Sequence, residues 1–368
     1  MSKHFIIAGG GTGGHIFPAI AIAHALRKAL PDCAILFVGA KGKMEMEKVP
    51  QAGYEIEGLN IAGFDRSSLL KNIGLPFQLL KSFWQVRSIL NRFCPDAVIG
   101  VGGYTTFPVL RLAQNRGIPT FIHEANSFAG KSNQWLGQRA AKIFVATNGM
   151  DVFFPKEKIV VTGNPVRESI AGITVSRSEA HTFFGLDPAH TTILVVGGSL
   201  GARSINAAVD DGLEQLLGNG LQLIWQTGKL YVQQAHKRCA GKPGVWVSDF
   251  IAHMEMAYAA ADVIIARAGA MTIAEICTVG KPAVLVPYPL AAEDHQTVNA
   301  RHLVQNDAAL LVPDAVAAVE LVPTVIALAH DQKRQQQLQQ HVRTLAIPNA
   351  AEKVVNEILN FLQRKSEK

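Results

Sequence analysis

The sequence predicts an α/β protein built from two Rossmann-like, doubly wound domains, each a parallel sheet covered by helices on both faces. Short apolar runs alternate with helical patterns along the 368-residue chain, as in proteins of this class. The order of strand, glycine turn and helix in the opening stretch "FIIAGGGTGGHIFPAI" recurs at "ILVVGGSLGARSINAAV". A turn signal, Asn164-Pro165, separates the two series. We therefore expect a first domain over residues 1–164 and a second over 165–346.

The predicted strands are apolar runs with little polar alternation, which is typical of strands covered on both faces. In the first domain they are "FIIAG", "AILFVG", "AVIGVGG", "PTFIHE", "KIFVAT" and "KIVVTG"; in the second they are "TTILVVGG", "LQLIWQTG", "VWVSDFI", "DVIIARAGA", "PAVLVPYP" and "AALLVP". Ligands of such sheets bind beyond the carboxyl ends of the strands, so two facing domains would form a cleft there.

The last stretch, residues 347–368, is an amphipathic helix with Val354, Ile358 and Leu362 on one face. That face needs an apolar partner. We expect the helix to pack back on the first domain.

Composition and charge limit the classes of partner. Hydrophobic residues form 48% and charged residues 17% of the chain, which is typical of globular proteins. The net charge of +6 suits a phosphate-bearing ligand or an anionic membrane surface. No cluster of basic residues with interleaved aromatics occurs, so nucleic acid is not an expected partner. No apolar stretch reaches the ~18 residues of a membrane span, and the scattered cysteines predict reduced thiols and no zinc site.

The first glycine loop, "GGGTGGH", satisfies the dinucleotide pattern G-x-G-x-x-G. A dinucleotide site also needs an acidic residue after the second strand to bind a ribose. That strand runs into Lys41, Gly42 and Lys43 instead, so the loop predicts a phosphate site of another kind. His15 stands at the start of the following helix. It is either a general base, because histidine titrates near neutral pH, or a residue that only hydrogen-bonds the loop.

Two further strand ends of the first domain carry polar groups. The stretch "GVGGYTTFP" adds a second glycine turn followed by three hydroxyls, which suits a second phosphate or merely close packing. The stretch "FIHEANSFAG" places His123, Glu124 and Asn126 after another strand, where side chains either face a cleft or cap a helix. His123 and Glu124 are therefore alternatives to His15 as the base.

The second domain has its own polar groups at strand ends. Ser199 lies where a diphosphate would bind, and Glu275 lies one turn into a helix. Glu275 either accepts hydrogen bonds from ribose hydroxyls or complements the helix dipole, which is worth only about 0.3–1 kcal/mol. Gln296 and Asn299 share one helix turn and suit sugar hydroxyls. Their joint occurrence at predicted strand ends favours a ligand site over chance.

The sequence offers no pattern for a metal. It has no zinc, calcium or Walker signature, and no D-x-D pair that would hold a metal ion on a nucleotide diphosphate. A transferase with this layout would stabilise its leaving diphosphate with helix dipoles and cations, and Arg167 and Arg267 are the candidate cations. We expect neither a metal nor another cofactor.

Six motifs follow one another along the chain: "GGGTGGHIFPAIAIA", "GVGGYTTFP", "HEANSFAGKSN", "GNPVR", "GGSLGARSIN" and "RAGAMTIAE" with "GKPAVLVPYPLAAEDHQTVNA". This set resembles the MurG family, the peptidoglycan glycosyltransferases of glycosyltransferase family 28, over essentially the whole chain. The resemblance implies a two-domain GT-B fold. It also implies an inverting, metal-free transfer of N-acetylglucosamine (GlcNAc) from UDP-GlcNAc to the MurNAc 4-hydroxyl of undecaprenyl-diphospho-MurNAc-pentapeptide (lipid I), which forms lipid II. The dinucleotide match of the first loop is then incidental.

The resemblance also implies roles for individual residues of this chain. The catalytic residues would be His15 and Glu124. The acceptor would contact Gly102, Gly103, Tyr104 and Thr105. UDP-GlcNAc would contact Thr12, Gly13, Gly14, Asn126, Arg167, Ser199, Ile251, Ala270, Met271, Thr272, Ile273, Ala274, Glu275, Gln296 and Asn299. Two departures, a third glycine before Thr12 and Ala125 in place of the glutamine of many relatives, remove no functional group.

A lipid-linked acceptor requires a surface that faces a membrane, and the stretch "LLKNIGLPFQLLKSFWQVRSIL" offers one. One apolar stripe of this helix suits the protein core; it consists of Leu79, Phe83, Val86 and Leu90. A second stripe, rotated by about 100°, consists of Ile73, Phe77, Leu80 and Trp84, next to Lys71 and Lys81. The second stripe either packs on another part of the protein or contacts anionic lipid, and we expect membrane contact.

These inferences predict a peripheral protein on the cytoplasmic face of the plasma (inner) membrane. Its expected partners are UDP-GlcNAc, lipid I and the anionic inner leaflet, with cell-wall synthesis or division proteins as further candidates. Three alternatives stay open: another UDP-sugar enzyme, such as a diacylglycerol glucosyltransferase or a UDP-GlcNAc epimerase; a nicotinamide oxidoreductase; and a nucleotide-sugar sensor without turnover. The stretches "HEAN" and "AAEDHQTVNA" argue against the first, and the missing strand-end acid against the second.

Overall fold

The computed structural model describes residues 2–61, 75–198, 201–291 and 294–367, with residues 75–78 described by their backbone alone. The chain divides into two compact units, Met1–Arg167 with Asn349–Lys368, and Glu168–Pro348. The sequence-based boundaries at residues 164 and 346 lie a few residues before these division points. Each unit is an α/β domain built on a parallel sheet.

The strands of the first unit are β1 (His4–Ala8), β2 (Ala34–Ala40), β3 (Glu55–Leu59), β4 (Ala97–Gly100), β5 (Thr120–Glu124), β6 (Lys142–Val145) and β7 (Ile159–Val161). In the described part of the chain they form one sheet in the order β3-β2-β1-β4-β5-β6-β7. Ala8, the last residue of β1, pairs with Val38 on one side and Gly100 on the other. The loops after β1, β2 and β4 therefore leave the sheet at one edge, where the strand order reverses and ligands of such sheets bind.

The helices of this unit that precede its boundary are α1 (Gly13–Ala29), α2 (Glu45–Gln51), α3 (Leu75–Phe93), α4 (Thr106–Asn115) and α5 (Lys131–Gly137). Successive strand side chains point to opposite faces of the sheet. Accordingly, Phe5 and Ile7 pack with residues of α1, while Ile6 and Ala8 pack with residues of α3 and α4. All four side chains are buried, which explains why β1 is continuously apolar.

The strands of the second unit are β8 (Thr191–Val196), β9 (Leu221–Gln226), β10 (Val245–Ser248), β11 (Val263–Ala266), β12 (Ala283–Leu285) and β13 (Leu310–Leu311). Its helices are α6 (Glu168–Ala171), α7 (Arg177–Phe184), α8 (Arg203–Asp211), α9 (Leu213–Gly218), α10 (Val232–Cys239), α11 (Met254–Ala260), α12 (Ala270–Val279), α13 (His295–Gln305), α14 (Ala317–His330) and α15 (Gln332–Thr344). The described strands pair in parallel in the order β10-β9-β8-β11-β12-β13. The reversal between β8 and β11 places the loops after these two strands at the ligand edge.

The last helix, α16 (Ala350–Ser366), belongs to the first unit and packs on α1. Val354 and Ile358 on its apolar face are buried in the same cluster as Ile22 of α1. Burying such side chains is worth about 1.5–3 kcal/mol each. The chain therefore returns to its first unit to cover one face of the first sheet.

Candidate functional site

His15 lies in the first turn of α1, directly after the glycine loop that follows β1. Thr12 takes the extended conformation of an N-cap, and α1 begins at Gly13. Nδ1 of His15 lies 3.0 Å from the carbonyl oxygen of Gly10. Because a carbonyl oxygen only accepts hydrogen bonds, the neutral form of the ring carries its proton on Nδ1 and its lone pair on Nε2. This arrangement prepares Nε2 to accept a proton.

The second glycine loop, between β4 and α4, is bonded to the first. The amide of Gly10 donates to the carbonyl oxygen of Gly102 over 3.3 Å. The hydroxyl of Thr106 donates to the carbonyl oxygens of Gly102 and Ala8, over 3.0 and 3.1 Å. The two loops therefore form one connected surface at the ligand edge of the sheet.

The predicted acceptor residues differ in their exposure. Tyr104 is 53% exposed, whereas Thr105 is buried, and its Oγ1 makes no hydrogen bond within the described part of the chain. Thr105 occupies the N-cap position of α4. Of this pair, Tyr104 is the side chain that a ligand outside the loop could reach.

The end of β5 carries a buried polar cluster. Oε1 of Glu124 accepts hydrogen bonds from the backbone and side-chain amides of Asn126, over 3.2 and 3.3 Å. Its Oε2 accepts one from the Asn133 side chain over 2.8 Å. His123 is fully buried, and burial lowers its pKa from 6.5 to about 4, so the ring is neutral at pH 7. Neither group is as open to a ligand as His15, because both are buried.

Arg167 lies at the end of the first unit, and its guanidinium stacks on the ring of Phe17 in α1, 4.3 Å from the ring centre. Such a contact holds the planar guanidinium beside α1, and the guanidinium stays positively charged.

In the second unit, residues Ala270 to Glu275 form the first turns of α12, with Gly269 as the extended N-cap. The first amides of a helix have no partner within the helix and favour anions. Glu275 is buried, and its Oε2 accepts a hydrogen bond from the hydroxyl of Tyr258 in α11 over 2.8 Å. Tyr258 thus fixes the orientation of this carboxylate.

Helix α13 carries the predicted sugar-binding pair. Oε1 of Gln296 accepts from the backbone amide of Tyr288 over 3.0 Å, which ties the helix to the loop after β12. Asn299 is buried and donates to the carbonyl oxygen of Ala268 over 3.1 Å. Asn299 therefore shapes the turn that leads into α12.

A buried glutamine joins two loops of the second unit. Nε2 of Gln226 donates to the carbonyl oxygen of Gly198 over 3.0 Å, and its Oε1 accepts from the amide of Ile251 over 2.9 Å. The Ile251 amide is therefore already bonded within the protein. Ser199, which follows Gly198, lies outside the described residues.

The positive charge of Arg267 is balanced by a carboxylate within the protein. Its guanidinium forms an ion pair with Asp314 over 2.5 Å and donates to the Ser204 hydroxyl and to the carbonyl oxygens of Val286 and Pro287. The Arg267 side chain is 11% exposed. Its guanidinium therefore joins four segments of the unit, and its expected role toward a leaving diphosphate stays a prediction.

Part of the predicted lipid-facing stripe lies in the described part of α3. Val86, Ile89 and Leu90 are buried, whereas Leu80 is 60% and Trp84 73% exposed. Lys81 is also exposed. Lys71, Ile73 and the Phe77 side chain lie outside what the structure describes. Within residues 2–61, 75–198, 201–291 and 294–367, no helix combines the length and hydropathy needed to cross a bilayer.

The residues that orient the predicted groups were not found by sequence reasoning. Asn133, Gln226 and Tyr258 are single polar residues of α5, β9 and α11, and no motif of the sequence singles them out. In the described chain no group of three or more His, Cys, Asp or Glu side chains has the arrangement of a metal site.

Comparison with known proteins shows the family. Residues 5–145 match the glycosyltransferase family 28 N-terminal domain, and residues 192–354 match its C-terminal domain. A protein of Parabacteroides distasonis is 49% identical over 99% of this chain and 100% of its own length. One of Porphyromonas gingivalis is 50% identical over 98% of this chain and 96% of its own length. Both are named UDP-N-acetylglucosamine–N-acetylmuramyl-(pentapeptide) pyrophosphoryl-undecaprenol N-acetylglucosamine transferase.

A solved structure agrees with these relatives. The crystal structure of Acinetobacter baumannii MurG is 30% identical, covers 97% of this chain and 99% of its own, and superposes with a TM-score of 0.73. The two parallel sheets described above are those of the GT-B fold. The chain therefore belongs to glycosyltransferase family 28, within the MurG group of N-acetylglucosamine transferases.

Proposed function

We propose that this chain transfers GlcNAc from UDP-GlcNAc to the MurNAc 4-hydroxyl of lipid I and so forms lipid II. Its close similarity to transferases of that name, over nearly the whole of both chains, supports this substrate pair. The first unit is the acceptor-binding and membrane-facing domain, and the second unit binds the donor. The membership in family 28 leaves the nicotinamide alternative without support.

We propose His15 as the general base, and the contact between its Nδ1 and the Gly10 carbonyl is the observation that carries this assignment. Nε2 accepts the proton of the 4-hydroxyl as that oxygen attacks the anomeric carbon of GlcNAc. A new carbon–oxygen bond forms on the face opposite the diphosphate, which inverts the configuration. The bond between the anomeric carbon and the diphosphate breaks, and UDP leaves with the electron pair. Glu124 supports the reaction by holding Asn126 and Asn133.

We assign the donor to the starts of α12 and α13. Glu275, oriented by Tyr258, accepts hydrogen bonds from the ribose hydroxyls, and the first amides of α12 receive the diphosphate. We also assign Gln296, Asn299, Ile251 and Ser199 to donor binding. In the first unit, the residues that we assign to UDP-GlcNAc are Thr12, Gly13, Gly14, Asn126 and Arg167. No step of this mechanism uses a metal ion.

The acceptor and the membrane are assigned to the same unit. Gly102, Gly103, Tyr104 and Thr105 form the acceptor loop. Leu80, Trp84 and Lys81 contact the anionic inner leaflet, since an exposed tryptophan beside a lysine suits a lipid headgroup region. The protein is then peripheral to the cytoplasmic face of the plasma membrane, where cell-wall synthesis or division proteins are candidate partners.

Transfer of labelled GlcNAc from UDP-GlcNAc to a short-chain lipid I analogue tests the function, with and without EDTA. We expect transfer in both cases, with the label in a lipid II analogue. Transfer abolished by EDTA and restored by a divalent ion would contradict the metal-free mechanism. Binding of UDP-GlcNAc without any transfer favours the sensor alternative, and release of an epimerised sugar favours the epimerase.

Flotation with phosphatidylglycerol vesicles tests the membrane surface. We expect the wild-type protein to float and Trp84→Ser to float several-fold less. Val152→Ser is the matched control, because Val152 is 76% exposed in the same unit and lies outside α3. Equal flotation of all three proteins would remove α3 from the membrane contact.

A further inference from the structure

Glu45 is a buried carboxylate that none of the assigned roles uses. It is the first residue of α2 and is 1% exposed. Its Oε1 accepts a hydrogen bond from the amide of Ala40, and its Oε2 accepts one from the amide of Gly11, each over 2.9 Å. A buried charge is tolerated only when it is well bonded. Here both carboxylate oxygens are bonded to backbone amides of different segments.

The two amides belong to the ends of neighbouring strands. Ala40 is the last residue of β2, and Gly11 lies in the glycine loop after β1. The carboxylate therefore lies between the segment that follows β1 and the end of β2. Gly10 packs directly on it, since a Cβ built at Gly10 would overlap Oε1 of Glu45. A side chain at this position would require the carboxylate to move.

One peptide group connects Glu45 to His15. The amide of Gly11 and the carbonyl of Gly10 belong to the same planar peptide unit, and in a trans peptide they point in opposite directions. Glu45 holds the amide on one side, and Nδ1 of His15 donates to the carbonyl on the other, over 3.0 Å. Fixing the direction of the amide therefore fixes the direction of the carbonyl.

This peptide lies between two glycines, so it can rotate more easily than most. A rotation would turn the Gly11 amide toward His15. Nδ1 would then accept a hydrogen bond, and the proton would move to Nε2, the nitrogen assigned to receive the acceptor's proton. The geometry points to Glu45 as a positioning residue: its carboxylate holds the Gly10–Gly11 peptide so that His15 keeps its proton on Nδ1 and its lone pair on Nε2. The catalytic consequence rests on the proposed function.

Glu45→Gln tests this inference, because a glutamine can accept from only one of the two amides and its own NH₂ faces the other. Glu47→Gln is the matched control: it removes the same charge from the same turn of α2, but Glu47 is exposed and bonded to Lys48 and Gln51. The readout is the ¹⁵N shifts of the His15 ring in histidine-labelled protein, identified by comparison with His15→Gln. The wild type and Glu47→Gln should show a protonated Nδ1 and a bare Nε2. Glu45→Gln should show a mixture of tautomers.

Kinetics provide the second readout. We expect Glu45→Gln to lower kcat by about 10- to 100-fold, as displacements near 1 Å do, with little change in the KM for UDP-GlcNAc. Unchanged ring shifts in folded Glu45→Gln would overturn the inference, and so would a loss of kcat no larger than the loss of folded protein.

If Glu45→Gln does not fold, hydrogen exchange in the wild type decides. The Gly11 amide should then be protected although it lies in a loop, and exchange at the rate of an open glycine loop would overturn the inference. The ring shifts and the exchange rates are independent of the reaction that the chain catalyses. A wild-type protein that transfers no GlcNAc would therefore defeat the proposed function alone.

Discussion

The imidazole of His15 lies against the backbone of Gly102, in the space that a side chain at that position would fill. A Cβ built at Gly102 would stand 2.6 Å from Cδ2 and 2.7 Å from Nε2 of the ring. Gly102 also has a φ of +97°, a conformation that other residues rarely adopt. The second glycine loop thus provides the space in which the His15 ring lies.

Gly102→Ala should therefore displace His15. We expect kcat to fall by about 10²-fold, because the methyl group pushes the ring from its position. Gly117→Ala is the control for backbone strain, since Gly117 has a φ of +70° with nothing within 4 Å of its would-be Cβ. Both variants should lose about 1 kcal/mol of stability, and only Gly102→Ala should lose activity. Equal kcat values for the two variants would contradict the prediction.

Replacing the proposed base gives a direct test. His15→Ala should lower kcat by roughly 10²-fold or more, because the acceptor hydroxyl loses its proton acceptor, while UDP-GlcNAc binding measured by calorimetry persists. His24→Ala, an exposed histidine on the same helix, should retain full activity. Unchanged turnover of His15→Ala would exclude His15 as the base and favour Glu124.

Glu275→Ala should weaken the binding of UDP-GlcNAc. Hydrogen bonds to a charged group are worth about 1.5–3 kcal/mol, so the KM for UDP-GlcNAc should rise by about 10- to 100-fold with a smaller change in kcat. Tyr258→Phe removes the hydroxyl that orients the carboxylate and should raise the same KM by a smaller factor. An unaltered donor KM in Glu275→Ala would remove the ribose role.

The lowered pKa of His123 predicts how the free energy of unfolding depends on pH. Burial lowers its pKa from 6.5 to about 4, so between these values the unfolded chain binds a proton that the folded protein does not. The resulting stability is complete above pH 6.5, falls as the pH decreases toward 4, and is lost below it, by about 3 kcal/mol in total. His123→Leu should flatten this part of the curve in calorimetric unfolding at several pH values. An equally steep curve for the variant would assign the dependence to other groups.

Arg267→Met should destabilise the second unit. It leaves the Asp314 carboxylate without its countercharge in a partly buried position, at an expected loss of about 3 kcal/mol. The double variant Arg267→Met/Asp314→Leu should be more stable than Arg267→Met alone. A stable Arg267→Met with a strongly raised donor KM would instead support Arg267 as a cation for the diphosphate.

Local patterns accounted for the fold class. Apolar runs, glycine turns and helix starts are set by neighbouring residues, so the two doubly wound domains and the helix starts that carry His15 and Glu275 could be predicted from the chain. The motifs supported the family in the same way, because each is a short segment. Predictions that depended on a side chain's surroundings were less complete: Arg267 was expected as a cation for the diphosphate, and its charge is balanced by Asp314.

The sequence by itself determined which residues stand at the strand ends, and only the tertiary structure decided which of them are bonded to one another. Glu45 reaches Gly11 across 34 positions, and Arg267 reaches Asp314 across 47. Such bonds form because β2 lies beside β1, and because the loop after β11 approaches the segment after β13. A hydrogen bond depends on distance and direction to within a few tenths of an ångström, and strand order sets both. For this reason the bond between Glu45 and the Gly11 amide follows from the folded protein and not from the motif that contains His15.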